Sequence, residues 1–105
     1  MRNIYAVTGL AVIAALALPA AWSADPGAGQ KLFQTTCVAC HGQNGVGIAP
    51  MYPNLAGQKM EYIVAQLTAF RDGQRVNPIM SPMAKGLSDT DIANLAEYLS
   101  TLKPQ

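Results

Sequence analysis

The chain has 105 residues, room for one domain and no more. A formal net charge of +1, with only 12% of residues charged, leaves no basic run for nucleic acid. Two cysteines so close in sequence cannot close an ordinary disulfide loop.

The first two dozen residues inflate the 50% hydrophobic content. Met1-Arg2-Asn3 gives a short positive start, Ile4 to Leu18 is almost wholly apolar and uncharged, and Pro19 breaks the run ahead of Ala20, Ala21, Ser23 and Ala24. That layout predicts a secretory signal peptide over residues 1–23, cut near 21–24; a cut after Ser23 puts Ala21 in the −3 position. A spanning helix needs about 20 apolar residues, and an uncleaved anchor is the rival reading. After removal, Lys31, Lys59, Arg71, Arg75, Lys85 and Lys103 are balanced by Asp25, Glu61, Asp72, Asp89, Asp91 and Glu97. Strong electrostatic steering of partners is therefore not expected. The remaining domain, residues 24–105, is of a size at which a single apolar core is marginal, so a buried cofactor is the natural supplement.

Asp25-Pro26-Gly27 opens the domain, and Pro26 suits a first helical turn. Ala28 to Thr36 reads as a short helix with Leu32 and Phe33 on its apolar side. Gly42 to Gly57 holds too many glycines and prolines for regular structure. Gln58 to Phe70 reads as a helix with Tyr62, Ile63, Leu67 and Phe70 on one face, ended by Asp72-Gly73. Gln74 to Leu87, with Pro78, Pro82 and Gly86, reads as a second long loop. Ser88-Asp89-Thr90-Asp91 resembles an N-cap with acids in the first turn, and the helix it opens runs to about Leu102, with Ile92, Leu95, Ala96, Leu99 and Leu102 inward. No segment alternates like a strand. The prediction is an all-α fold of three main helices and two long loops, and loops this long in so small a domain usually carry function.

Cys37-Val38-Ala39-Cys40-His41 is a C-x-x-C-H motif. Two thiols one helical turn apart can add to the two vinyl groups of a single haem, and the following histidine then stands ready to give the iron a nitrogen. A redox C-x-x-C needs a βαβ setting that is missing here, and a zinc site needs four ligands where this chain offers two cysteines and one histidine. The motif therefore implies one covalent haem c at Cys37 and Cys40, with iron bound by His41. As the sole histidine, His41 excludes a second histidine ligand from within the chain. Methionine is the natural second donor. Met1 leaves with the signal, Met60 falls in a helix where core filling is the ordinary role, and Met51 follows His41 too closely to reach the opposite haem face easily. Met80 and Met83, in Asn77-Pro78-Ile79-Met80-Ser81-Pro82-Met83, remain, and spacing alone does not choose between them.

Further segments join this motif: Gly29-Gln30-Lys31-Leu32-Phe33, Tyr52-Pro53-Asn54-Leu55-Ala56-Gly57-Gln58, and Gly86-Leu87-Ser88-Asp89 leading into Ile92 to Leu99. With them the chain resembles the class I cytochromes c, more narrowly the bacterial cytochrome c553 and c5 type, and one domain of the dihaem cytochrome c4. The single C-x-x-C-H departs from the dihaem pattern. The resemblance implies the class I cytochrome c fold wrapped around one covalent haem, with residues 24–105 as a monohaem domain. It favours Met80 over Met83, because in that family the ligand lies seven residues before the leucine answered here by Leu87. It makes Pro53 the carbonyl that accepts the Nδ1 hydrogen of His41. It places Gly29 and Phe33 across from Tyr98, as packing. The implied function is one-electron transfer rather than catalysis, by a periplasmic carrier docking transiently with redox proteins at the haem edge. A haem subunit of a larger dehydrogenase or oxidase is the alternative. An open-site enzyme is disfavoured, since no second histidine could serve as distal acid or base. No nucleic acid partner and no membrane span after signal removal are expected.

Overall fold

The computed structural model describes residues 5–6, 8–12 and 24–104. Most of the stretch read as a signal peptide, positions 21–23 of its cleavage region included, lies outside the described residues. The described residues contain helices and loops and no strand.

Helix α1 spans Pro26–Thr36. It starts two residues before the expected Ala28 because the Asp25 carboxylate accepts from the Gly27 and Ala28 amides, at 2.9 and 3.2 Å. Pro26, with its φ already set, begins the first turn without a donor to lose. Cys37 caps α1, and a one-turn helix α2, Val38–His41, follows at once. Sequence periodicity cannot see a segment that short. Helix α3, Met60–Asp72, ends on the left-handed Gly73. Its buried stripe is Ile63 and Phe70 with Leu67 half-buried, whereas Tyr62, expected on that face, is 50% exposed.

The expected second loop is not wholly irregular: Met80–Lys85 forms helix α4. Pro82 does not prevent it, because in a first turn the missing N–H has no intrahelical partner to lose. Helix α5 spans Asp89–Thr101. Ser88 Oγ accepts from the Asp91 amide and the Asp91 carboxylate accepts from the Ser88 amide, a reciprocal capping box.

The core lies where α1 and α3 meet α5. Phe33, Ile92 and Leu95 are its largest fully buried side chains. The Phe33 and Tyr98 rings stand 5.7 Å apart at 55°, a tilted geometry that suits their opposed edge and face charges. Gly29 makes the crossing possible: a Cβ there would fall 2.0 Å from the Asn94 carbonyl oxygen. Asn94 in turn accepts the Asp25 amide through Oδ1 at 2.8 Å, so the start of α1 is tied to the middle of α5.

Gly29→Ala should therefore cost about 3 kcal/mol or more, since only separation of two backbones relieves the overlap. Gly86 supplies the contrast, with φ −83 and nothing within 4 Å of a new Cβ. Thermal unfolding should show Tm lowered by more than about 10 °C for Gly29→Ala and almost unchanged for Gly86→Ala; equal effects at the two sites would contradict the close approach.

Candidate functional site

The C-terminal end of α1 delivers the chemistry-bearing residues. Cys37 donates its amide to the Phe33 carbonyl at 2.8 Å, and the Cys37 carbonyl then accepts the His41 amide at 3.0 Å. That single turn sets Cys37 and Cys40 on neighbouring positions of one helical face, as three-residue spacing requires. Gly42, at φ +78, ends the turn, and a Cβ there would meet the Val46 carbonyl at 1.9 Å.

The two cysteines are not joined to each other in a disulfide. Burial pushes the Cys37 thiol up to about 11. A reactive or metal-binding thiolate needs the opposite, a depressed value beside positive charge. This position suits a sulfur that carries no charge, such as a thioether. A hydrogen bond with Cys40 raises the Tyr52 phenol above its ordinary value, placing that ring beside the second sulfur.

His41 is buried, and its Nδ1 lies 2.9 Å from the Pro53 carbonyl oxygen. A carbonyl can only accept, so Nδ1 carries the hydrogen, which makes Nε2 the nitrogen that can offer a lone pair to a metal. The loop that supplies Pro53 is fixed along its length. The Gly45 carbonyl accepts from Leu55 and Ala56 at 2.7 and 3.0 Å, and the Gly57 amide donates to Leu99 of α5 at 3.0 Å. Asn54 Oδ1 accepts from the Gly47 amide at 2.8 Å.

The segment between α3 and α5 is held in a similar way. Asn77 Oδ1 accepts from both the Ile79 and Met80 amides, each at 2.9 Å. Ser81 Oγ accepts from the Asn77 amide at 2.9 Å. Arg71, on the last turn of α3, bridges the two ends of the segment. Its guanidinium donates to Asp72, to the Leu87 carbonyl and to Asp89. That fork holds the Asp72 carboxyl below its ordinary value.

The methionines differ in setting. Met80 is half-buried, Met83 is 43% exposed and Met51 is 74% exposed, while Met60 packs on the core. The structure thus gathers Cys37, Cys40, His41 and Pro53 at one end of α1 and sets Met80 and Met83 together on α4. Asn54, Asn77 and Arg71 were not singled out by the sequence reading. Asn77-Pro78 with Ser81 is a turn signal that points to the second of them. Among the described residues no group of three or more His, Cys, Asp or Glu could hold a metal. One imidazole, two cysteine sulfurs and a thioether instead fit a metal whose equatorial ligands arrive with it, as in haem.

Asn77→Ala should leave two adjacent amides without an acceptor. Hydrogen exchange at Ile79 and Met80 should quicken about tenfold, with the α5 amides unaffected; unchanged exchange at Met80 would show that Asn77 does not hold this turn.

A family profile described as Cytochrome c matches residues 27–103. The chain is 51% identical over 80 residues to cytochrome c-554(548) of Halomonas halodenitrificans, covering 73% of this chain and 95% of that one. It is 44% identical over 105 residues to a thiosulfate dehydrogenase electron acceptor of Thiomonas intermedia, covering 99% of this chain but 46% of that protein. Among solved structures, cytochrome c4 of Acidithiobacillus ferrooxidans superimposes with a TM-score of 0.70 at 38% identity, over 75% of this chain and 50% of that one.

Proposed function

The chain belongs to the cytochrome c family, and from that membership we propose that it is a periplasmic monohaem carrier of single electrons, with iron held between His41 and Met80. The family binds haem c covalently through the Cys-x-x-Cys-His motif, which stands here at Cys37, Cys40 and His41. When bound, the haem supplies a one-electron iron couple.

The chain's own residues do the rest. Cys37 and Cys40 anchor the group through uncharged sulfur. His41 offers Nε2 to the iron while the Pro53 carbonyl keeps its ring from turning and makes it a better donor. Met80 offers its thioether from a turn that Asn77 and Ser81 hold in place. The observation that carries this reading is the His41–Pro53 bond, which commits one imidazole nitrogen to the backbone and frees the other. Met80 is preferred to Met83 because it is less exposed and because its own amide is the one Asn77 fixes. Were His41 and Met80 both to hold the iron, they would leave it no free coordination position for a substrate, which favours a carrier over a catalyst.

Export follows from the signal-peptide reading of residues 1–23, and no helix among the described residues is long and apolar enough to cross a membrane. A second reading has support from the Thiomonas relative, whose name makes it the electron acceptor of a dehydrogenase. In that reading this chain is the haem subunit of a dehydrogenase or oxidase complex.

Optical spectra of the oxidised protein test the ligand set. The far-red charge-transfer band of a methionine–iron bond should be present in the wild type, lost in Met80→Ala and retained in Met83→Ala. The reverse pattern would move the ligand to Met83, and a five-coordinate wild-type spectrum would overturn the carrier reading.

A further inference from the structure

Helix α4, which carries Met80, packs on α3 and, among the described residues, on no other helix. Its place relative to His41 is therefore passed on through α3 and through the two stems of the segment between α3 and α5. Arg75 holds the first stem. Its amide donates to the Ala69 carbonyl at 3.0 Å, and its guanidinium lies 4.5 Å over the Phe70 ring and donates to Gln66 at 2.7 Å. Arg71 joins the second stem to α3. Its guanidinium donates to the Leu87 carbonyl at 3.3 Å and to the Asp89 carboxylate at 2.7 Å, 16 and 18 residues further on. Asp72 accepts from Nε of the same fork at 2.9 Å. The Arg71 side chain is 20% exposed, against 43% for Asp72 and 83% for Asp89. An isolated surface ion pair would be worth little. A mostly covered guanidinium that serves two carboxylates and a carbonyl is a network, and its bonds are lost together.

We infer that Arg71 is a positioning residue for the Met80 thioether: by clasping the two ends of the segment it sets how rarely α4 moves away from the iron. This role rests on the Met80 ligation proposed above. Tying Arg71 to Asp89 closes a loop and restricts everything between them, α4 included. With the clasp open, the ends of the segment can separate, and α4 keeps only its packing on α3. A small ligand from solvent can bind the iron only while Met80 is away from it. Its apparent affinity therefore follows the open fraction. Lysine could not do the same work, because a single ammonium has no planar fork to serve Asp72, Leu87 and Asp89 together. Arg75 cannot stand in either, since Gln66 and Phe70 already occupy it.

Imidazole is the probe, titrated into the oxidised holoprotein and followed by loss of the far-red methionine band. Arg71→Gln should raise its affinity by more than about fivefold. Asp89→Ala should raise it by about threefold, and adding Asp89→Ala to Arg71→Gln should change little, because both remove the same clasp. Arg71→Lys should fall between the wild type and Arg71→Gln. Asp25→Ala, which removes the cap of α1, should lower Tm and leave imidazole affinity unchanged. Should Arg71→Gln fail to retain haem, Asp89→Ala and Arg71→Lys carry the comparison. If the clasp variants lower Tm yet bind imidazole as the wild type does, Arg71 only supports the fold; the inference falls and Met80 ligation stands. If Asp25→Ala raises the affinity as much as they do, the effect is one of global stability and the inference falls likewise. If the oxidised wild type has no methionine band, Met80 ligation falls and the inference with it.

Discussion

The meeting of α1 and α5 at Gly29 and Asn94 is the constraint on which the rest of this small protein depends. With no Cβ at Gly29 the two backbones touch, and Phe33 and Tyr98 fill the next layer of the same crossing. Everything in the site is referred to this pair. The C-terminal end of α1 runs straight into Cys37 and the turn that sets Cys40 and His41. From α5, the Leu99 carbonyl fastens the end of the Pro53 loop. The first turn of α5 offers Asp89 to Arg71, so the Met80 segment is closed at its base.

The loops illustrate how a domain too small for a large core still fixes a ligand geometry. Leu55 of one long loop and Leu87 of the other pack against the core. Each loop is also held by side-chain oxygens aimed at backbone amides: Asn54 on Gly47 in one, Asn77 on Ile79 and Met80 in the other. Each such bond is worth only about 1 kcal/mol net, yet it removes a specific freedom of the backbone beside Pro53 and at Met80. Arg71 acts at the larger scale, joining α3, the Leu87 carbonyl and α5 in one fork.

How much of this was legible in the sequence varies with the physics involved. The three longer helices were readable because their apolar stripes repeat and because Ser88 and Asp91 form a recognisable cap. The Cys37–His41 chemistry was readable because it is local: the spacing itself carries the reaction. Helix α4 was missed because Pro82 reads as a breaker, while what permits the helix is its place in the first turn together with the Asn77 side chain. Tyr62 was misassigned because a three-and-four spacing admits residues at the margin of a stripe, and burial by neighbours decides which of them are covered. The contact of Gly29 with Asn94 joins residues remote in sequence, so only the resemblance suggested a crossing there, and it named Tyr98 as the partner. The structure divides the work, with Gly29 against Asn94 and Phe33 against Tyr98.

The proposed iron site is a closed one: the His41 imidazole, oriented by Pro53, would hold the metal from one side and the Met80 sulfur of α4 from the other, leaving no position for a substrate. X-ray absorption at the iron edge of the reduced protein tests this most directly, because it counts the nearest atoms by element. One sulfur and five nitrogens around the iron is the predicted first shell. A shell of nitrogens alone, or one with an oxygen or an empty position in place of the sulfur, would contradict it.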